Sequence, residues 1–129
     1  MPQATELDRF FATWEYETQS TLKLLRALPK DKYDFRPDAQ GRSLGELAWH
    51  LAEGDAYITQ GIDTGVFFGS EKPAHIDRPK TVEALAPGFE IVHRDAHTAF
   101  PQFAQHRRGL VGVTHQHRLG NLQLQPPRG

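Results

Sequence analysis

The chain has 129 residues, a net charge of −1 and no cysteine. This length fits one domain with one core. The charge favours neither nucleic acid nor an anionic membrane as a partner, and the lack of cysteine excludes disulfides, thiolate catalysis and cysteine-based zinc sites. No apolar run approaches the roughly 20 residues that span a bilayer, and the N-terminus lacks the pattern of a signal peptide. We therefore expect a soluble cytoplasmic protein that binds neither nucleic acid nor membrane.

The first predicted helix runs from about Thr5 to Leu28. Thr5 and Asp8 have the spacing of a capping box, and acidic residues suit the positive end of the helix dipole. Apolar residues then recur every three or four positions, which is typical of a helix that packs in a bundle. Pro29 ends the helix, and the proline, glycine and charges of residues 29–42 predict a loop.

The second predicted helix begins at Ser43 and ends between Gly61 and Gly65. Ser43 and Glu46 have the S-x-x-E spacing of a capping box. Apolar residues at helical spacing predict the buried face of this helix: Leu44, Leu47, Leu51, Ile58 and Ile62. The connection that follows, residues 66–80, is long for neighbouring helices, which indicates a crossover or a loop that covers a pocket.

The third predicted helix spans about Thr81 to Phe100, again with apolar steps of three and four. Pro87 and Gly88 interrupt the pattern, which predicts a kink, or a short turn before a helix that has Pro87 in its first turn. We expect Leu51→Ala to cost on the order of 2–5 kcal/mol of folding free energy. The side chains expected in the core include Leu25, Leu47, Leu51, Phe89 and Val92.

The end of the chain differs from the three helical segments. Residues 106–129 contain four glycines, no acidic residue, no lysine and no helical stripe. We therefore expect a helical domain over residues 1–105 and an irregular tail over 106–129, which proteases should cut first. A truncated or frame-shifted C-terminus is the hypothesis that accounts for this change of character.

Histidines are the candidate metal ligands of this sequence. His50 lies at the edge of the apolar stripe of the second helix. His93 and His97 are four residues apart on the third helix, so both project from one side of it. These two are alternatively ordinary surface or partly buried side chains. His50 is alternatively a histidine at the border of the core that bonds to a first-helix side chain such as Glu17 or Thr18.

Two carboxylates of the second helix, Glu53 and Asp55, lie close to His50 in the sequence. Acidic side chains on a helix are ordinarily exposed to water, so we expect both to be solvated. Glu53 has a second interpretation, as a residue that orients or supplements a histidine ligand.

Three stretches of the sequence carry a family resemblance: Phe35-Arg36-Pro37, Arg42 to Ala52, and Thr81 to Leu85. In this order they resemble the DinB/YfiT-like superfamily of four-helix bundles, over about residues 5–100. The resemblance implies an all-α, up-down helical bundle, here with three clear helices and the irregular tail. It also implies a metal site with one histidine on the second helix, where His50 aligns, and a His-x3-His pair on the fourth helix, which has no counterpart in this sequence.

Two functions are open, one implied by this resemblance and one by the lack of a fourth helix. One is a metal-dependent hydrolase or thiol transferase, in which a zinc, nickel, iron or manganese ion activates a water or a thiol for a small-molecule or thiol substrate. The predicted ligands of this ion are His50, His93 and His97. The other is a non-catalytic dimerisation or interaction module with a degenerate metal site.

Association is expected in either case, because three amphipathic helices leave apolar surface uncovered. The simplest partner is a second copy in a symmetric homodimer. Its interface is predicted to be a groove lined by Leu7, Phe11, Leu85 and Phe89.

Overall fold

The computed structural model of the chain describes residues 2–67, 69 and 71–100. These residues contain three helices and no strand: α1 (Glu6–Ala27), α2 (Leu44–Thr64) and α3 (82–100, the last described residue). The predicted all-α fold is confirmed, and the helix bounds agree closely with those expected. The predictions made for the tail, 106–129, lie outside the described residues.

Local signals account for where α1 and α2 begin and end. The Thr5 hydroxyl oxygen accepts the Asp8 N–H at 3.1 Å, and the Asp8 carboxylate accepts the Thr5 N–H at 2.8 Å, so the capping box is complete. Ser43 caps α2 through the Glu46 N–H, but the Glu46 carboxylate turns to a loop arginine. Gly65 ends α2 at a φ of +77°, in the left-handed region that favours glycine.

Pro87 does not interrupt α3, since residues 82–100 are continuously helical. The expected short turn is therefore wrong. Pro87 lies in the second turn of the helix, where it removes one backbone N–H. Gly88 permits a close approach of the neighbouring helix, because a Cβ at this position would lie 3.1 Å from the ring of Trp49.

The contacts between α1 and α3 show that these two helices are antiparallel. Arg26, in the last turn of α1, forms an ion pair with Glu90, near the middle of α3. Phe11, near the start of α1, contacts His97 further along α3, with ring centroids 4.7 Å apart. The order of contacts is thus reversed along the two helices.

The contacts between α2 and α3 run in the same order along both helices. Trp49 packs against Gly88, and Asp55 lies beside His93. The two helices are therefore parallel, and residues 65–81 cross from the end of α2 back to the start of α3. The indole N–H of Trp49 anchors this connection by donating to the carbonyl oxygen of Ile76 at 2.7 Å. The predicted crossover is confirmed.

The core lies where the three helices meet. The predicted burial of Leu25, Phe89 and Val92 is confirmed. Small residues form most of the face that α2 turns inward, and their size lets the helix lie close to its neighbours. The buried residues of α2 are Gly45, Ala48, Trp49, Ala52, Ala56, Thr59 and Gly61.

The predicted core face of α2 is wrong, because three of its large aliphatic side chains are exposed. Leu47, Leu51 and Ile58 are 58%, 44% and 58% exposed. They lie on the side of the helix that points away from α1 and α3. The face that packs is rich in alanine and glycine, which permit a close approach between helices, and it also carries the buried Trp49.

The predicted dimerisation groove is wrong for a related reason. Leu85 and Phe89 are buried inside the chain's own core, and Leu7 and Phe11 are partly covered. These four side chains therefore do not line an open apolar groove. Within the described residues, no helix combines the length and apolar character that a membrane span requires.

Candidate functional site

His93 is a nearly buried histidine, 7% exposed, at the point where the three helices meet. Its Nε2 lies 3.0 Å from Oε2 of Glu15, and its Nδ1 lies 3.2 Å from Oγ1 of Thr18, both on α1. Asp55 of α2 approaches Nδ1 to 3.7 Å. An ionised carboxylate only accepts hydrogen bonds, so Nε2 carries the hydrogen that Glu15 accepts.

The two carboxylates beside His93 have pKa values that shift in opposite directions. Hydrogen bonds from His93 and then from Gln19 hold the pKa of Glu15 below its ordinary value. Burial raises the pKa of Asp55, and this effect is only partly offset by His93 and by a hydrogen bond from Trp14. The site therefore stabilises a negative charge on Glu15 and disfavours one on Asp55.

Aromatic rings enclose the histidines of α3. Trp14 meets His93 edge-on, with ring centroids 5.0 Å apart, and Phe89 lies parallel to it at 6.4 Å. His97, one turn further along α3, stacks on Trp14 at 5.8 Å and also contacts Phe11. These rings fix both imidazoles in position and exclude water from much of their surface.

An open groove of about 310 Å³ runs beside His93 between α1 and α3. Polar and charged side chains make up most of its lining: Glu15, Thr18, Gln19, Glu90, Arg94, His97 and Thr98. The groove lets solvent reach the Glu15 side of His93. The arrangement holds the imidazole of His93 between a carboxylate and a hydroxyl, and a metal ion at His93 would require a ring nitrogen to leave its present partner.

His50 lies apart from this cluster. It is exposed on α2, and its Nδ1 lies 3.1 Å from Oε2 of Glu53. Because an α-helix turns about 100° per residue, His50 and Asp55 project roughly 140° apart around α2. His50 therefore faces away from His93. Glu53 holds Nδ1 and leaves Nε2 available, the arrangement by which carboxylates orient metal-binding histidines.

The structure brings together two of the three predicted ligands. The rings of His93 and His97 have centroids 5.8 Å apart, while His50 lies on another face. In the described part of the chain, no group of three or more histidine, aspartate or glutamate side chains is arranged to hold a metal. These residues do not by themselves fit a metal centre, and the three-ligand site stays a prediction.

The surroundings of His93 are not visible in the local sequence. Thr18 and Glu15 precede it by 75 and 78 residues. The prediction that Asp55 is solvated is wrong, although its spacing of seven from the buried Ala48 indicates a shared face. The alternative in which His50 bonds to an α1 side chain is also wrong, because His50 contacts Glu53 of its own helix and Thr18 contacts His93.

Comparison with known proteins identifies the family. A family model described as the DinB family matches residues 1–113. The chain belongs to the DinB family. The uncharacterized protein YrdA of Bacillus subtilis (strain 168) is 35% identical to the chain over 57 residues, which is 44% of this chain and 34% of YrdA. The chain thus spans about a third of the length of this relative. No solved structure matches.

DinB membership agrees with the resemblance seen in the sequence motifs. The match begins before α1 and extends past the last described residue of α3. It therefore covers all three helices and the crossover between α2 and α3. It assigns the chain to a family, whereas the chemistry of the chain has to be argued from its own side chains.

Proposed function

We propose that this DinB-family chain is a non-catalytic association module that binds a helix along the exposed side of α2. The observation that carries the proposal is a row of apolar and small residues, here called the α2 seam: Leu47, Leu51, Gly54 and Ile58. Its three aliphatic side chains are all exposed. A row of exposed aliphatic side chains on a folded domain is typical of an interaction site.

The spacing of the α2 seam supports a helix as the partner. Its residues are separated by four, three and four positions, the spacing with which two helices interlock side chains along a common line. No charged residue lies at a seam position. The first and last residues of the seam are 11 positions apart, or about 16 Å along the helix. A partner helix of three turns would therefore cover it.

Paired charge substitutions on the α2 seam test this proposal. The double variant Leu47→Lys/Ile58→Lys should keep the helical circular dichroism of the parent, because both side chains are exposed. Sedimentation velocity should show association that depends on concentration for the parent and none for the double variant. Leu24→Lys, at an exposed apolar position of α1, is the matched control and should still associate. Equal association of both variants would contradict the proposal.

A metal-dependent hydrolase or thiol transferase is the second candidate function. It is favoured by one observation, the His50–Glu53 pair, in which a carboxylate holds Nδ1 at 3.1 Å and leaves Nε2 available. A metal in this family would supply activation of a water or thiol. A complete centre requires further donors, which the described residues do not bring to His50.

Elemental analysis separates the two candidates. Protein purified without chelator or affinity tag should contain zinc, nickel, iron or manganese at one equivalent if the enzyme proposal holds. His50→Ala should then abolish the metal content, and Glu53→Gln should lower the affinity. Metal-free parent protein that also gains no metal on titration would reject the enzyme proposal and leave the association module.

A further inference from the structure

We propose that the partner helix is α2 of a second copy, paired antiparallel, so that Leu51 of each copy fills the space above Gly54 of the other. This inference rests on the proposed function and names its partner. It predicts a symmetric contact in which the same face is used twice.

Gly54 is the observation that sets this proposal apart from a general apolar contact. Glycine disfavours a helix relative to alanine, so a mid-helix glycine calls for a reason. A Cβ at Gly45 would strike Tyr33, and one at Gly61 would strike Phe67, but a Cβ at Gly54 would meet no atom of the described residues within 4 Å. The packing of residues 2–67, 69 and 71–100 therefore does not require Gly54. It leaves an open space in the middle of the α2 seam.

The order of large and small residues selects the antiparallel register. With the two-fold axis near residues 52 and 53, Leu51 of one copy lies opposite Gly54 of the other. The same register places Leu47 opposite Ile58 at both ends. Each large side chain then meets either a hole or a single aliphatic partner. A parallel pair in register would instead place glycine against glycine and leave that hole empty.

The side of the α2 seam that carries His50 is also complementary in this register. Tyr57 follows His50 by seven residues, so both lie on the same flank of α2. Antiparallel pairing brings His50 of one copy beside Tyr57 of the other, twice in the dimer. Because Glu53 holds Nδ1 of His50, Nε2 is available to the phenol hydroxyl. The flank therefore offers two polar contacts.

Substitution at Gly54 tests the central contact without disturbing the single chain. Gly54→Leu adds a side chain where the chain has open space, so circular dichroism and the thermal stability of the monomer should not fall. It removes the hole for Leu51 of the second copy, and the dissociation constant from sedimentation equilibrium should rise at least tenfold. Asp63→Leu adds the same side chain at an exposed position of α2 off the seam and should leave the constant unchanged. Undiminished association of Gly54→Leu would overturn the inference.

Cysteine cross-linking tests the register, and the natural chain has no cysteine to interfere. In the antiparallel pair, copies carrying Leu47→Cys should form disulfides with copies carrying Ile58→Cys. Neither variant alone should cross-link, because identical residues would be about 16 Å apart along the axis, beyond the reach of a disulfide. Cross-linking of each variant with itself would establish a parallel pair and overturn this inference, while the association module would stand.

The oligomeric state of the parent protein is the remaining test. A dimer at micromolar concentration supports both proposals. A monomer at every concentration would overturn this inference. If the α2 seam of that monomer were covered by residues 101–129 of the same chain, the association module would fall as well.

Discussion

His93 shows how a buried polar residue is made compatible with a small helical core. Both of its ring nitrogens have partners on α1, and Asp55 approaches from α2. Among the described residues, no buried side-chain nitrogen or oxygen lacks a hydrogen-bond partner. A buried polar network that is fully satisfied fixes the geometry of the helices that contribute to it, whereas removing one member leaves the others unpaired.

The carboxylates of Glu15 and Asp55 should change the pH dependence of stability in opposite directions. The folded-state pKa of Glu15 is lowered, so its contribution to stability is present above pH 4.5 and is lost as the pH falls. The folded-state pKa of Asp55 is raised, so its ionisation opposes folding as the pH rises through that value. At neutral pH, Glu15→Gln should therefore lower the free energy of unfolding and Asp55→Asn should raise it.

Urea unfolding at pH 7 and pH 4, followed by tryptophan fluorescence, checks both signs. The effect of Glu15→Gln should be at most about 1 kcal/mol, because half of its side chain is exposed to solvent. It should also shrink between pH 7 and pH 4. Glu17→Gln, two residues along α1, is the control and should follow the parent. A gain in stability with Glu15→Gln at pH 7 would contradict the hydrogen-bonding scheme described for His93.

At the scale of the helix, α2 has two apolar faces of different character. One is made mainly of alanine and glycine and packs against the rest of the chain. The other carries Leu47, Leu51 and Ile58 and remains exposed. The hydrophobic pattern alone favours the second face for the core, since leucine and isoleucine are the larger apolar residues. The structure shows that the small residues pack together with Trp49, so hydrophobicity alone does not identify the core face of α2.

Alanine substitutions distinguish the two kinds of apolar position. Leu25→Ala, at a position 2% exposed, should cost about 2–5 kcal/mol of unfolding free energy. Leu51→Ala should cost less than about 1 kcal/mol when measured at a concentration low enough to keep the chain monomeric. The measurement is urea unfolding at submicromolar protein concentration. A cost for Leu51→Ala as large as that for Leu25→Ala would restore the core face expected from the sequence.

The sequence predicts helices better than it predicts the site. Thr5 and Ser43 mark helix starts, and Gly65 marks an end, because capping depends on residues next to each other in the chain. The partners of His93 come from two other helices, so no local spacing reveals them. His50 and His93 both follow helical patterns, but only the packing shows that they face different directions.

At the scale of the whole molecule, the exposed α2 seam should couple stability to protein concentration. Only folded chains associate through that face. A higher protein concentration therefore favours the folded state by mass action. The midpoint of thermal unfolding should rise by roughly 2–4 °C for each tenfold increase in concentration. Differential scanning calorimetry between 5 and 500 μM measures this change. The Leu47→Lys/Ile58→Lys variant should show a midpoint independent of concentration.

The crossover between α2 and α3 has a consequence for the order in which the chain folds. The contacts of His93 with Thr18 and Glu15 join residues 75 and 78 positions apart. Closing so long a loop costs entropy before any contact compensates for it, so contacts distant in sequence slow folding. We expect α1 and α2 to dock first and α3 to dock after the rate-limiting step. Stopped-flow measurements should then show that His93→Ala accelerates unfolding far more than it slows refolding.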